Sequence, residues 1–276
     1  MKYKLVAIDC DNTLLNSEGH IPAENKETIQ YLKSKGIEFI IATGRNDVLV
    51  ADYIEELGID APVIGCNGAS IRNLKENKLL SYNPIPKQSL KLILDYCKEN
   101  KLPFRAFSMS KGFSNDKTSI REVLEQILSK YTKVLKSNIP YEYLENPEYL
   151  IDNEEVVKVV LVNNDPITLQ KYQTEIKGTE GIDICRSARN CLDIGALGVS
   201  KGNAVKKYGE MLGIKQKETV AFGDSENDLS MIKYAGFGVA MENGEDGLKK
   251  FAQMVTDTND NCGVAKALKQ IFADLF

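Results

Sequence analysis

Residues 6–15 read VAIDCDNTLL, a short apolar run that gives way to Asp9 and Asp11, one residue apart, and then to Asn12 and Thr13. A continuous apolar run with polar residues at its end is the pattern of a strand buried on both faces. Asp, Asn and Thr are also ordinary turn formers where strands end, so the stretch alone leaves a turn and a reactive site equally open. What decides between them is whatever else reaches the same edge.

Working outward, EFIIAT (38–43) and TVAFGD (219–224) repeat the form, each apolar and each ending in Thr or Asp. Helical patterns alternate with them: AENKETIQYLKSKG (23–36), DVLVADYIEELG (47–58), SKGNAVKKYGEMLG (200–213), SENDLSMIKYAG (225–236) and the closing GVAKALKQIFADLF (263–276), with a further strand in GFGVAM (236–241). Apolar strands alternating with helices predict an α/β fold, a doubly wound, Rossmann-like parallel sheet covered on both faces. The style changes after NLKENKLLSYNPIP (73–86), which reads as a hairpin and a Pro-punctuated linker. Helices are then expected in KQSLKLILDYCKENK (87–101) and TSIREVLEQILSKYT (118–132), and a strand in EVVKVVLVNN (155–164). The first style resumes near ICRSARNCLDIG (184–195). The expected organisation is a core of residues 1–84 and 190–276 with an α+β domain, residues 85–189, inserted into it.

The 276 residues, 43% hydrophobic, can bury a large core. A net charge of −4 supplies no basic field for nucleic acid or an anionic membrane, so a small-molecule partner is expected. No apolar run approaches the roughly 20 residues of a membrane span and no signal peptide opens the chain, which makes cytoplasmic the expected location. Six cysteines without CxxC pairing fit free thiols in a reducing compartment, although Cys185 and Cys191 could meet across a hairpin. His20, the one histidine, reads as a loop residue and excludes a multi-histidine zinc site.

Four signals fall at strand ends or helix starts: Asp9 to Thr13, Thr43-Gly44-Arg45, Ser200-Lys201-Gly202, and Gly223 to Asp228. Singly each has an ordinary reading, Lys201 as a solvated helix lysine and Asp224 and Asp228 as helix-capping residues. Together they would place Asp9, Asp11, Asp224 and Asp228 on one sheet edge, where two carboxylates about 4 Å apart repel by roughly 4 kcal/mol at an effective dielectric of 20. A cation is required, and Mg2+ suits an all-oxygen site that shares a phosphate. A lysine, a hydroxyl and Gly-adjacent amides can hold a phosphoryl group. One carboxylate can attack phosphorus to give an aspartyl-phosphate, and a second can protonate the leaving alcohol and later deprotonate water.

The motifs IDCDNTLLNS, IATGR, CNGASI, GVSKGNAV, AFGDSENDLSMIKYAGFGVAMENG and CGVAKAL follow one another in an order that resembles the haloacid dehalogenase superfamily, within it the Cof-like, type IIB capped phosphatases. The resemblance spans essentially the whole chain, with the inserted segment at the family's cap position. It implies Asp9 as nucleophile and Mg2+ ligand, Asp11 as general acid/base and as a ligand through its backbone carbonyl, and Asp224 as the third ligand. Thr43, Gly44, Lys201 and Asn227 would bind phosphate, and Asp228 would support them. Asn12 stands where the family has Gly, and Asn tolerates the positive φ of that turn. Cys10 replaces an aliphatic residue and reads as packing.

The expected activity is Mg2+-dependent hydrolysis of a small phosphate monoester, whether a sugar phosphate, nucleotide or phosphorylated cofactor, by a monomer or small homo-oligomer. A phosphomutase or phosphotransferase would use the same intermediate, and a non-enzymatic phospho-acceptor or ligand-binding relative could keep part of the site. The inserted domain is expected to exclude water and select the leaving group. Tyr131, Tyr141, Tyr143 and Tyr149, with Arg45, Arg186 and Arg189, are candidate selectivity residues, against their plainer reading as packing and solvated side chains.

Overall fold

A computed structural model of the chain describes residues 2–118 and 139–276. It divides into two compact units, one of residues 1–81 and 200–276, the other of residues 82–199. All but the first residue of the helix expected over 118–132, Tyr131 included, lies outside the described residues.

The first unit is built on an eight-stranded sheet. Its strands are β1 (Leu5–Ile8), β2 (Glu38–Ala42), β3 (Val63–Gly65), β4 (Ser70–Asn73), β5 (Lys78–Tyr82), β12 (Thr219–Gly223), β13 (Phe237–Ala240) and β14 (Met254–Val255), in the order β14-β13-β12-β1-β2-β3-β4-β5. From β14 through β3 neighbours run parallel, and β4 returns antiparallel on β3. The apolar runs form the parallel part because both of their faces are covered. Leu5, Ala7, Ile40, Ala42 and Ala221 share a core with Val205 and Tyr208 of helix Lys201–Met211 and Met231 and Ile232 of helix Leu229–Tyr234. The alternate residues Val6, Ile8, Phe39 and Ile41 point to the other face and are equally buried. Helices Ala23–Ser34 and Gly263–Ile271 pack on one another, the former also against β2.

The second unit has a six-stranded sheet in the order β10-β11-β9-β6-β7-β8, from β6 (Phe104–Phe107), β7 (Gly112–Ser114), β8 (Tyr141–Tyr143), β9 (Lys158–Val162), β10 (Ile182–Ala188) and β11 (Cys191–Ala196). Only β7 and β8 are paired in parallel; the rest is antiparallel. Leu90, Ile93 and Leu94 of helix Lys87–Glu99 and Leu169 and Ile176 of helix Pro166–Ile176 share its core with Phe104, Phe113, Val159, Leu161 and Leu192. The inserted domain expected over 85–189 stops short of β11, which pairs with β9 and β10, and the unit runs from Tyr82 to Val199. All six cysteines are free, and Cys185 and Cys191 stand opposite Asp193 and Ala188 rather than each other. Among the described residues no helix is long and apolar enough to cross a membrane.

Candidate active site

Parallel strands in register deliver their ends to a common edge. Ile8 lies opposite Ile41 of β2 and Phe222 of β12, so Asp9 leaves the sheet level with Ala42 and Gly223, one residue before Thr43 and Asp224 at the same edge. The Asp9 amide still bonds the Phe222 carbonyl at 3.0 Å, which fixes the first aspartate before the chain turns. The turn over Cys10–Leu14 needs a left-handed residue, and Asn12 takes it at φ 57°. Asn243 anchors that turn by donating from Nδ2 to the Asn12 carbonyl at 2.8 Å.

Asp9, Asp224 and Asp228 bring their carboxylates into one buried cluster, with an oxygen of each within 4.8 Å of the others. Lys201 enters it from the first turn of helix Lys201–Met211, whose N-cap Ser200 accepts from the Asn203 amide. Its ammonium, on a residue only 1% exposed, donates to Asp9 Oδ1 and Asp228 Oδ1, both at 2.6 Å. Burial opposes the Lys201 charge, yet Asp228 and Asp9 together hold its pKa above the ordinary value. Both oxygens of Asp228 are engaged, since the other one accepts the amides of Asp224 and Ser225 at 2.9 and 3.0 Å. Gly223 makes this possible, since a Cβ there would fall 2.4 Å from that of Asp228. Thr13 donates to Asp224 Oδ1 at 3.1 Å.

Burial dominates the acidities. It raises Asp9 well above the ordinary carboxylate value, against Lys201 and with help from Asp228 and Asp224. Burial and the Asp228 charge likewise raise Asp224 to about 7. One ammonium thus faces three buried carboxylates, an all-oxygen donor set with an excess of negative charge. These residues fit Mg2+, which takes oxygen ligands and retains water. Burial first, with the adjacent carboxylates, pushes the Cys10 thiol up, leaving it a packing residue.

Thr43 is fully buried, its hydroxyl accepting the Arg45 amide at 3.1 Å. Asn227 donates from Nδ2 to Asn67 Oδ1 at 2.9 Å, and Gly44 lies against this pair. Asp11 is not brought into the carboxylate cluster. Its side chain, 50% exposed, is gripped by the Arg45 guanidinium, Nε on Oδ2 at 2.7 Å and a second nitrogen on Oδ1, and Arg45 lies over the Tyr53 ring. In the second unit Tyr143 and Tyr149 are exposed, Tyr141 stacks edge-on to Phe107, Arg186 donates to Gln170, and Arg189 is exposed. His20 is an exposed loop residue.

Asn67, Asn243 and Thr13 lie within the motifs singled out in the sequence, but nothing there assigns them a task. An Asn-Gly pair at a strand end is a turn signal that could have drawn attention to Asn67.

Comparison with known proteins agrees with this architecture. The family model described as haloacid dehalogenase-like hydrolase matches residues 6–268. The 5-amino-6-(5-phospho-D-ribitylamino)uracil phosphatase YcsE of Bacillus subtilis is 32% identical, the match covering 96% of this chain and 94% of YcsE. A haloacid dehalogenase-like hydrolase structure from B. subtilis superposes with a TM-score of 0.85 at 29% identity, covering 97% of this chain and 99% of the other. The fold is shared with the subclass IIB sugar phosphatase BT4131, at 24% identity, a TM-score of 0.82, and 99% and 100% coverage. The chain belongs to the haloacid dehalogenase-like hydrolases and is a phosphatase.

Proposed function

We propose that this phosphatase is Mg2+-dependent and hydrolyses small phosphate monoesters through an aspartyl-phosphate on Asp9. The observation that carries the reading is the buried cluster in which Lys201 bridges Asp9 and Asp228 beside Asp224. Asp9, Asp224 and the Asp11 backbone carbonyl would hold the ion, with Asp228 fixing the lysine and the Asp224 loop. When bound, Mg2+ supplies positive charge against the phosphoryl oxygens and offsets repulsion between them and the nucleophile.

Asp9 Oδ attacks phosphorus as the ester P–O bond breaks, and Asp11 gives its proton to the departing alkoxide. Asp11 then takes a proton from water, whose oxygen attacks phosphorus, releasing phosphate and restoring the Asp9 carboxylate. For this the Asp11 side chain leaves Arg45. Thr43, the Gly44 amide and Asn227 hold the phosphoryl oxygens, so the catalysis consists mainly of positioning and charge.

The substrate belongs to the small phosphate esters: sugar phosphates, nucleotides or phosphorylated cofactors. The name of YcsE makes a phosphoribitylamino-uracil the first compound to include. Free thiols suit a reducing, cytoplasmic setting.

Phosphate release from a panel of such esters tests the reading. Asp9→Asn is expected to abolish turnover with the fold intact, and EDTA to stop the wild type until Mg2+ is restored. Substantial turnover in Asp9→Asn, or a rate indifferent to chelation, would sink it.

A further inference from the structure

The motif CNGASI supplies a turn that touches the parts of the site from several sides. Cys66, Asn67 and Gly68 all have positive φ, at 48°, 58° and 103°. Asn67 tolerates that conformation, but for Cys66 it is strained, and such strain persists where the surroundings over-determine it. Those surroundings are the site itself. The Cys66 amide bonds the Arg45 carbonyl at 2.7 Å and the Asn67 amide bonds the Thr43 carbonyl at 3.0 Å, pinning both ends of the Thr43-Gly44-Arg45 loop. Gly68 lies so close to the chain before Lys201 that a Cβ would fall 2.3 Å from the Ser200 carbonyl oxygen. From the same turn the Asn67 side chain, 6% exposed, accepts the Asn227 amide at 2.9 Å.

We infer that Asn67 is a positioning residue that aims the Asn227 amide at the phosphoryl group. Its warrant is the hydrogen-bond inventory of Asn227. Ser225 Oγ donates to Asn227 Oδ1 at 2.8 Å and Asn67 takes one of the two Nδ2 hydrogens. With the amide plane held at both ends, the direction of the second N–H is fixed before substrate arrives. An amide free to rotate would first have to be ordered by the ligand, at a cost in affinity. Gly44 leaves this pair room, since a Cβ there would crowd Asn67 Oδ1 at 3.0 Å and push the amide aside.

The inference rests on the phosphate-binding role proposed for Asn227, and a double-mutant cycle tests it with inorganic phosphate and p-nitrophenyl phosphate. Asn67→Gly deletes the amide while favouring the left-handed backbone. Its KM and its inhibition constant for inorganic phosphate are expected to rise together by about tenfold, with kcat changed less. In that background Asn227→Ala costs little more. In an Asn67→Asp background, which keeps an acceptor and tolerates the same φ, Asn227→Ala still costs most of its usual amount, so the comparison holds even if the Gly variant is poorly folded. Wild-type turnover with additive losses in the Gly background, or no cost of Asn227→Ala in the Asp background, overturns the role of Asn67 alone. A wild type that neither hydrolyses the ester nor binds phosphate overturns both readings.

Discussion

Asp224 carries a measurable signature of its surroundings. Burial and then Asp228 lift its pKa from 3.8 to about 7, so in the protein stripped of metal it holds a proton that the unfolded chain has already released. Between those values the folded state binds more protons than the unfolded state. Its contribution to stability is therefore full below 3.8 and is lost as pH rises through about 7. Thermal melts in EDTA are expected to show stability declining across that window. Asp224→Asn should flatten the decline, and Mg2+ should offset it in the wild type. An identical slope in wild type and variant would remove Asp224 as the cause. The same residue shows what could be read in advance: Asp9, Asp224 and Lys201 stood out because carboxylates and a lysine followed apolar runs or opened a helix. Asp11 was legible as a residue and not as a conformation, because its attachment to Arg45 depends on two loops that local spacing does not relate.

At the level of elements, the approach of helix and strand around Asp228 hangs on one hydrogen atom. Gly223→Ala would put a methyl carbon 2.4 Å from the Asp228 Cβ, forcing apart the end of β12 and the turn that follows it. The variant should lose about 1–3 kcal/mol to overpacking, and turnover should fall by at least tenfold because Lys201 and the Asp224 loop lose their common partner. Urea denaturation and steady-state rates check this, and a Gly223→Ala enzyme with wild-type values would show that the turn yields freely. The strands of the parallel sheet were legible because burial on both faces leaves an uninterrupted apolar run. β11 misled for a related reason: CLDIGA carries the same mixture of Leu, Ile and a strand-borne Asp, and nothing local marks its partners as antiparallel. The Cys66–Gly68 turn was hidden because its conformation follows from the Thr43 carbonyl and the Ser200 backbone, both remote in sequence.

The whole molecule carries separate cores in its two units, one around Leu5, Ile40 and Val205, the other around Phe104, Phe113 and Leu192. Leu192→Ala, at a fully buried position, should cost about 2–5 kcal/mol. The loss should appear as faster amide exchange within residues 82–199 while the amides of β1, β2 and β12 keep their protection. Uniform acceleration throughout the chain would mean that the two units open as one. A different consequence follows from the strand order, in which β1 is bonded on one side to β2 and on the other to β12. The strand that leads into Asp9 and the partner that completes its pairing are made more than two hundred residues apart. At ordinary translation speeds Asp9 waits on the order of 10–40 s for Asp224 and Asp228 to emerge. Until then the nascent chain carries Asp9 without the carboxylates and the strand that complete its cluster, so the activity proposed above waits on the synthesis of β12 and the turn after it.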